Sequence, residues 1–331
     1  MLLNFYLINH FRELWPALKP LGLEAILNVQ DFSLHVRYQQ QSMRLPAQFT
    51  QDQAGKISYT SHFSNQVSGF IGWRPYLNKR WPLSTEKLLF KRYVAERNLR
   101  TPGFSQDRAA LLKNVIVKRT SSSFSQGIRG PFRDARETSL DLAAGEYFEE
   151  YIPGNIIKLW YWNALPVAAE FVENLAVFGD GVSSISDLVR AYMRMLGREF
   201  PDLSQFADFL AYQGKTIDTV PVRDQECLVD FRYNSVLPTS YRARDIRIGQ
   251  DEFYGLEDEL HLIGKHLWQG IPSDTRDNIV YSVDAMLDDQ KRLWLLEMNS
   301  NPYVHPYVYP VMFKSIKDIL ERRGHATLTA V

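Results

Sequence analysis

The chain of 331 residues has a single cysteine, Cys227, so it contains no internal disulfide framework. It also lacks any run near the roughly 18 apolar residues that a membrane-spanning helix requires. Neither sign of charge is in excess, because 38 Lys and Arg residues balance 38 Asp and Glu residues. A neutral chain has no general attraction to nucleic acid or to a membrane surface, and we expect neither as a partner. The lone thiol fits a reducing cytoplasm, which is the expected location.

What the chain does contain is the composition of an ordinary globular protein. Apolar residues make up 45% and charged residues 23% of the sequence, the proportions of a soluble folded chain. A length of 331 residues is too great for one simple core. Three units are predicted: an N-terminal α/β domain over residues 1–83, a linker helix with a central domain over 84–178, and a C-terminal domain over 179–331.

Local patterns predict the α+β class. The apolar start, residues 1–9, predicts a strand rather than a signal peptide. Ser84 begins a predicted helix that runs to about Asn98, and residues 134–144 suit another helix. The run IIKLWYWNALPVAAEFV predicts two strands joined at Asn163. This order of elements is not that of a doubly wound nucleotide-binding domain.

The most informative segment is YSVDAMLDDQKRLWLLEMNSNPYVHP, residues 281–306. It predicts a β-hairpin. If the loop closes between Asp288 and Leu293, Asp284 stands opposite Glu297 with about 5 Å between the side chains. Strict alternation assigns the second strand to two faces: Leu295, Glu297, Asn299 and Asn301 on one, and Trp294, Leu296 and Met298 on the other.

Asp284, Glu297 and Asn299 are the candidate metal ligands. Two carboxylates buried together repel each other or take up a proton unless a cation lies between them. Hard oxygen ligands in this small number suit Mg²⁺ beside phosphate oxygens. The alternative is the polar face of an ordinary surface hairpin, and the neighbouring leucine residues favour burial instead.

A second candidate site lies at the end of the apolar strand that finishes at Lys118. The loop behind it, RTSSSFSQGIRGP, is rich in small residues whose backbone N–H groups can fold over phosphates. Lys118 can neutralise such phosphates as a point charge, and Ser123, Ser125 and Gly127 are the candidate loop contacts. The alternative is a lysine whose ammonium simply extends to the surface.

Further candidates lie on either side of this loop. The strand end over residues 149–154 can offer backbone groups to the edge of adenine between apolar side chains; the alternative is a plain strand that ends in a turn. Arg232 and Arg244 can hold carboxylate or phosphate through two parallel hydrogen bonds, or form surface ion pairs. Lys87, by its sequence alone, is a solvated helix lysine.

Together these motifs resemble those of the ATP-grasp ligases, such as cyanophycin synthetase and the ligase domains of glutathione synthetases. LLEMNSNP resembles the last signature of that family, VIVKRTSSSFSQGI its lysine strand and mobile loop, and FGDG its GDG element. The resemblance extends over roughly residues 84–310. It implies an ATP-grasp fold of three subdomains, with ATP between the central and C-terminal ones. One or two Mg²⁺ ions would accompany ATP, with Mn²⁺ as an alternative.

The resemblance also implies roles for individual residues. Mg²⁺ would be held by Asp284, Glu297 and Asn299, and the phosphates would be contacted by Lys87 and Lys118. The adenine hinge would consist of Glu149, Tyr151 and Ile152, and Lys158 stands where the family often has a basic residue. The transferred phosphoryl group would be stabilised by Arg232 or else by Arg244. One position departs from the pattern, because Ile156 stands where the family has an acidic residue for the ribose hydroxyls.

The implied activity is the ATP-dependent joining of a carboxylate, of an amino acid or peptide, to an amine through an acyl phosphate, with release of ADP and phosphate. Two alternatives stay open: a small-molecule kinase on the same fold, and a nucleotide-binding interaction module without catalysis, which Ile156 favours. Small-molecule or peptide substrates are the expected partners, and a homodimer is compatible with the sequence.

Overall fold

The computed structural model describes residues 3–53, 56–107, 109, 111–120, 127–172, 174–232, 245–247 and 255–328. Ser123, Ser125 and Arg244 lie outside the described residues. The architecture is α+β, as predicted, and its strands pair antiparallel. The helices are α1 Leu3–Leu18, α2 Pro82–Thr85, α3 Lys87–Ala95, α4 Ile185–Met195, α5 Ala207–Tyr212, α6 Glu257–Gln269 and α7 Tyr309–Leu328. The strands are β1 Glu24–Leu27, β2 Leu34–Tyr38, β3 Gln41–Leu45, β4 Ala47–Gln53, β5 Lys56–Thr60, β6 Val67–Trp73, β7 Phe104–Ser105, β8 Lys113–Arg119, β9 Arg129–Asp134, β10 Glu146–Glu150, β11 Asn155–Trp162, β12 Leu165–Val172, β13 Ala176–Phe178, β14 Glu226–Leu228, β15 Asp245–Arg247, β16 Val280–Leu287 and β17 Leu293–Asn299.

The N-terminal part consists of α1 and two small sheets, with strand orders β1-β2-β3 and β5-β4-β6. The predicted strand over residues 1–9 is wrong, because α1 begins at Leu3. The apolar residues Leu7, Phe11, Leu14 and Leu18 recur every three or four positions and all pack in one core, which is helical spacing. A short apolar run does not distinguish a strand from a buried helix, so the first residues alone did not reveal the helical period. None of the described helices combines the length and apolar character needed to cross a bilayer.

The largest sheet has five strands in the order β15-β12-β11-β16-β17. The predicted joint between β11 and β12 is confirmed at Asn163, which has a positive φ of 52° and donates its N–H to Ile279 O at 2.9 Å. One face of the sheet packs against α3 and α6 in a core that includes Tyr161 and Tyr281. The other face carries the candidate site. The division near residue 178 stays a prediction, and strand pairing puts β11 and β12 in the sheet of the C-terminal hairpin.

The second sheet of the site has four strands in the order β7-β10-β8-β9. The predicted helix over residues 134–144 is wrong. Asp134 ends β9, and its carboxylate accepts the Arg136 N–H to cap a short 3₁₀ turn, Ala135–Glu137. The predicted helix after Ser84 is divided in two at Glu86, whose backbone is extended at φ −117° and ψ 94°. This break starts α3 at Lys87.

Candidate functional site

The hairpin of β16 and β17 pairs Asp284 with Glu297, as predicted. Its loop closes differently from the prediction, however. Leu287 pairs with Leu293, and the Asp288 N–H donates to Arg292 O at 3.1 Å. That loop alone would place Leu296 opposite Asp284. A β-bulge inserts one extra residue in β17 between the partners of Asp284 and Ala285 and restores the carboxylate pair.

The bulge also changes which residues of β17 face the cleft. Leu295 and Met298 are buried in the core beneath the sheet, whereas the consecutive residues Leu296 and Glu297 both line the cleft. The predicted alternation, which put Leu295 on the face of Glu297, is therefore wrong. Strict period-two alternation fails wherever one strand has an extra residue.

Each carboxylate of the pair is bonded to a lysine. Lys158 Nζ, on the neighbouring strand β11, lies 2.9 Å from Asp284 Oδ1. Lys87 Nζ, in the first turn of α3, lies 2.9 Å from Glu297 Oε2. Asn299 Nδ2 lies 3.3 Å from Asp284 Oδ2, so all three candidate ligands share one face. The structure thus places Lys87 in the cleft, and the solvated-lysine alternative is wrong.

The two carboxyl groups have opposite pKa shifts. Burial raises the pKa of Asp284, and the charge of Glu297 adds to this despite the opposing Lys158. Burial also acts to raise the pKa of Glu297, but Lys87 and Lys118 together outweigh it and lower that pKa. The lysines therefore favour the charged form of Glu297 but do not outweigh the burial of Asp284, and any other cation at this place competes with their ammonium groups.

A second ion cluster lies on β10 and includes a residue that sequence reasoning missed. The Glu149 carboxylate, 1% exposed, lies 2.7 Å from Lys91 Nζ and 2.9 Å from Lys118 Nζ. Tyr147 donates its hydroxyl to the same carboxylate at 3.3 Å. Lys91 is fully buried. Glu149 thus contributes its side chain to lysine positioning, a role that the hinge prediction did not include.

The lysines and carboxylates of the cleft balance in number. Four lysines (Lys87, Lys91, Lys118 and Lys158) pair with three carboxylates (Glu149, Asp284 and Glu297), and a fourth carboxylate, Glu150, also lines the described part of the cleft. Arg232 adds no net charge, because its Nε and Nη2 bond Asp230 Oδ1 and Oδ2 at 2.8 and 3.1 Å. A polyanion here would be held by particular ammonium groups rather than by an excess of positive charge.

Two apolar clusters form facing walls at one end of this cleft. Ile152, Ile156 and Met286 form the first, with Trp294 and Leu296 against them. The second contains Ile116 and Tyr151, with Ile128 and Phe231 against them. Residues of both clusters line the same cleft. Apolar side chains of this kind are typical of sites that hold a flat aromatic base.

The hinge segment links the walls to the charged clusters. The Tyr151 N–H already donates to Asn114 O at 2.6 Å, so this amide is occupied by the protein itself. The Tyr151 ring packs edge-on against the Phe231 ring, with ring centroids 5.3 Å apart. Gly154 ends the segment with φ 149°, and a Cβ there would lie 2.3 Å from Leu287 O. The turn is therefore pressed against the hairpin that carries the carboxylates.

The loop after Lys118 is described only from Gly127 onward. Gly127 has a positive φ of 73° and lies beside the Arg119 side chain. In the GDG element, the Asp180 carboxylate accepts the N–H groups of Val182 and Ser183, which is turn chemistry. The Ser184 hydroxyl then accepts the Asp187 N–H and caps α4.

The donor set at the hairpin fits a hard divalent cation. No three His, Cys, Asp or Glu side chains are grouped as metal ligands in the described residues. The candidate set is instead two carboxylates and one amide oxygen, a small number of oxygen ligands of the kind that Mg²⁺ accepts when phosphate oxygens and water complete its shell. A bound cation would displace the ammonium groups of Lys158 and Lys87.

No protein-family model and no curated protein matches the chain. Solved structures similar to it include a bifunctional glutathione synthetase from Pasteurella multocida, at 18% identity and a TM-score of 0.38 over 90% of this chain and 41% of that chain. A D-alanine–D-alanine ligase from Bacillus anthracis has 12% identity and a TM-score of 0.38 over 73% of this chain and 69% of that one. The ATP-grasp ligase PsnB, complexed with a minimal precursor, has 12% identity and a TM-score of 0.34 over 66% and 52%. The chain spans less than half the length of the glutathione synthetase.

Proposed function

We propose that the chain is an ATP-dependent carboxylate–amine ligase of the ATP-grasp type. The observation that carries this proposal is the set of groups that share one cleft. Apolar residues suited to a base line it together with Lys87, Lys118 and the paired carboxylates Asp284 and Glu297. A metal-bound nucleoside triphosphate offers a base, a polyphosphate and a metal ion to groups of these three kinds.

The chemistry needs little from the protein besides positioning and charge. An oxygen of the substrate carboxylate attacks the γ-phosphorus, the bond to the β-phosphate oxygen breaks, and ADP leaves. The amine nitrogen then attacks the acyl carbon, the carbon–oxygen bond to phosphate breaks, and the amine loses a proton. Phosphoryl transfer of this kind depends on orientation and charge neutralisation rather than on a nucleophilic side chain.

Residues of the cleft have separable roles in this proposal. Lys87 and Lys118 neutralise phosphate oxygens. Arg232 bonds Asp230 through Nε and Nη2, so its contact with the transferred group is proposed for Nη1. Glu149 holds the ammonium groups of Lys91 and Lys118 in place. Asp284, Glu297 and Asn299 would hold Mg²⁺, which when bound supplies positive charge to the β- and γ-phosphate oxygens. Arg244, Ser123 and Ser125 stay predictions.

The test is an ADP-release assay with ATP, Mg²⁺ and pooled amino acids, followed by mass spectrometry of the products. Amine-dependent ADP release with an amide product is expected from the wild-type chain and is abolished in Glu297→Ala. Glu226→Ala, an exposed glutamate on β14, is the control and retains activity. Thermal unfolding verifies that both variants are folded. Turnover retained by Glu297→Ala would remove this residue from the mechanism.

Ile156 favours the second candidate, a nucleotide-binding module without catalysis. The residue is 4% exposed and belongs to the apolar wall, so it offers no oxygen to the ribose hydroxyls. That candidate predicts ATP binding without ADP release for any amine. A phosphorylated product without an amide would instead assign the site to a kinase.

A further inference from the structure

Arg74, directly after β6, is a fully buried arginine outside the clusters described above. Its Nη1 donates to Asn301 Oδ1 at 3.2 Å, and its guanidinium lies 5.2 Å from the centre of the Tyr76 ring. Nε and Nη2 have no hydrogen-bond partner in the described part of the chain. No ion pair joins Arg74 to any described carboxylate either.

Such a group is costly in a folded protein. A guanidinium does not give up its proton, so burial cannot be relieved by neutralisation. A buried charge without a partner destabilises the fold, and proteins retain such groups mainly where function requires them. The missing partner of Arg74 is therefore an anion that arrives from outside the described chain.

The free atoms of Arg74 specify the shape of that anion. Nε and Nη2 form one edge of the guanidinium, the edge that takes both oxygens of a carboxylate. This chain uses the same edge twice. Arg232 holds Asp230 through Nε and Nη2 at 2.8 and 3.1 Å, and Arg136 holds Asp134 through Nε and Nη2 at 2.8 and 2.7 Å. Arg74 has this edge without the acid.

Arg74 does not itself line the cleft, but hydrogen bonds link its segment to the hairpin that carries the carboxylates. Asn301 follows the candidate ligand Asn299 by two residues, and its amide bonds the backbone N–H and C=O of Lys79 at 3.1 and 2.6 Å. Tyr76 likewise bonds the backbone of Val280 at the start of β16. The segment that carries Arg74 is thus fixed to the ends of both strands of the carboxylate hairpin.

A second unsatisfied group lies on β16. The Ser282 hydroxyl is buried and has no hydrogen-bond partner among the described residues. Ser282 pairs with Asn299 and shares its strand face with Asp284 and Met286. Along this face of β16, Met286 of the apolar wall, Asp284 and Ser282 follow each other about 7 Å apart. The polar end lies opposite the end suited to a base.

We propose that Arg74 binds a carboxylate of the substrate, one that does not react. A guanidinium that bonds both oxygens of a carboxylate makes them poorer nucleophiles, so we assign this subsite to a second, non-reacting acid. The substrate class is an amino acid or peptide whose terminal carboxylate stays free when its amine is joined. This inference deepens the proposed function and rests on it for the reaction.

The test measures thermal unfolding with the carboxylates acetate, succinate and L-alanine, and with their amides acetamide, succinamide and L-alaninamide, at equal ionic strength. The carboxylates are expected to raise the Tm of the wild-type chain and the amides are not. In Arg74→Met the carboxylate shift disappears, while the Tm of the ligand-free protein rises because an unpaired buried charge has been removed. Arg44→Met, which breaks an exposed pair with Asp31, retains the wild-type shift.

Equal shifts in the wild type and Arg74→Met, or no carboxylate-specific shift in the wild type, would overturn the inference. If Arg74→Met does not fold, Arg74→Lys keeps the charge but loses the two-atom edge, and at least half of the carboxylate shift is expected to disappear. Calorimetry with ATP and Mg²⁺ on the same proteins separates the two proposals. Normal nucleotide binding without an Arg74-dependent shift would contradict only this inference, whereas absent nucleotide binding would contradict the proposed function.

Discussion

Replacing Glu149 by glutamine tests the ion cluster at the centre of the cleft. The change removes the anion that lies 2.7 Å from Lys91 Nζ and 2.9 Å from Lys118 Nζ. Two ammonium groups then remain close together, and Lys91 is fully buried. Removing one partner of a buried ion pair costs about 3–5 kcal/mol, because the other charge keeps its desolvation penalty.

The pKa of Glu149 gives a second estimate of the stability that this carboxylate contributes. Burial acts to raise it, but Lys118 and Lys91 outweigh burial and lower the pKa from 4.5 to about 2. A lowering of this size corresponds to roughly 3 kcal/mol of stability. Since the folded-state pKa is the lower one, the contribution is present above about pH 4.5 and is lost as the pH falls toward 2.

The assay is urea unfolding of Glu149→Gln beside Glu146→Gln, a matched control on the same strand. Glu146 pairs at 2.8 and 3.8 Å with Arg129 and Arg119, whose side chains are 41% and 50% exposed. Glu146 is itself buried and also accepts the Asp141 N–H, but its arginine partners stay in contact with water. Its loss is therefore expected to cost less than the loss of Glu149, about 1–2 kcal/mol. At pH 7 Glu149→Gln is expected to lose about 3 kcal/mol at unchanged m, and this deficit should shrink below pH 4.5. Equal losses in the two variants, or a deficit independent of pH, would refute the reasoning.

Two further predictions concern the hinge. Gly154→Ala is expected to lower the free energy of unfolding by at least about 2 kcal/mol, because its Cβ would lie 2.3 Å from Leu287 O. The control is Gly22→Ala, where φ is also positive but no atom lies near the added Cβ. It should cost about half as much in urea unfolding. ATP and 2′-deoxy-ATP are expected to have KM values within about threefold of each other. The reason is that Ile156 cannot form the hydrogen bond to the ribose, which would contribute about 0.5–1.5 kcal/mol. A tenfold preference for ATP in the ADP-release assay would contradict this.

The hairpin illustrates what the sequence can and cannot predict. The pairing of Asp284 with Glu297 follows from the spacing of acidic and apolar residues, and it is correct. The loop register was off by one, and a bulge compensated for it. A bulge has no reliable sequence signal when the extra residue, here Leu296, is apolar like its neighbours. The prediction was thus correct for the pair and wrong for the faces of β17.

The burial of Lys91 could have been predicted from the helical spacing of apolar residues on α3. It follows Lys87 by four residues on α3, and Phe90 and Val94 on the same helix are buried. A lysine within such an apolar stripe is expected to be buried and paired. Its partner Glu149 is 58 positions away, so the pair itself depends on the packing of α3 against β10. That Nε and Nη2 of Arg74 have no hydrogen-bond partner among the described residues likewise cannot be predicted from the sequence.

Calorimetric titration of ATP, with Mg²⁺ and then with EDTA, tests the central claim most directly. The account predicts that Mg²⁺ tightens binding of ATP at least tenfold in the wild-type chain and that Glu297→Gln loses this gain. Equal affinity with and without Mg²⁺ in the wild-type chain, or no binding of ATP at all, would contradict it.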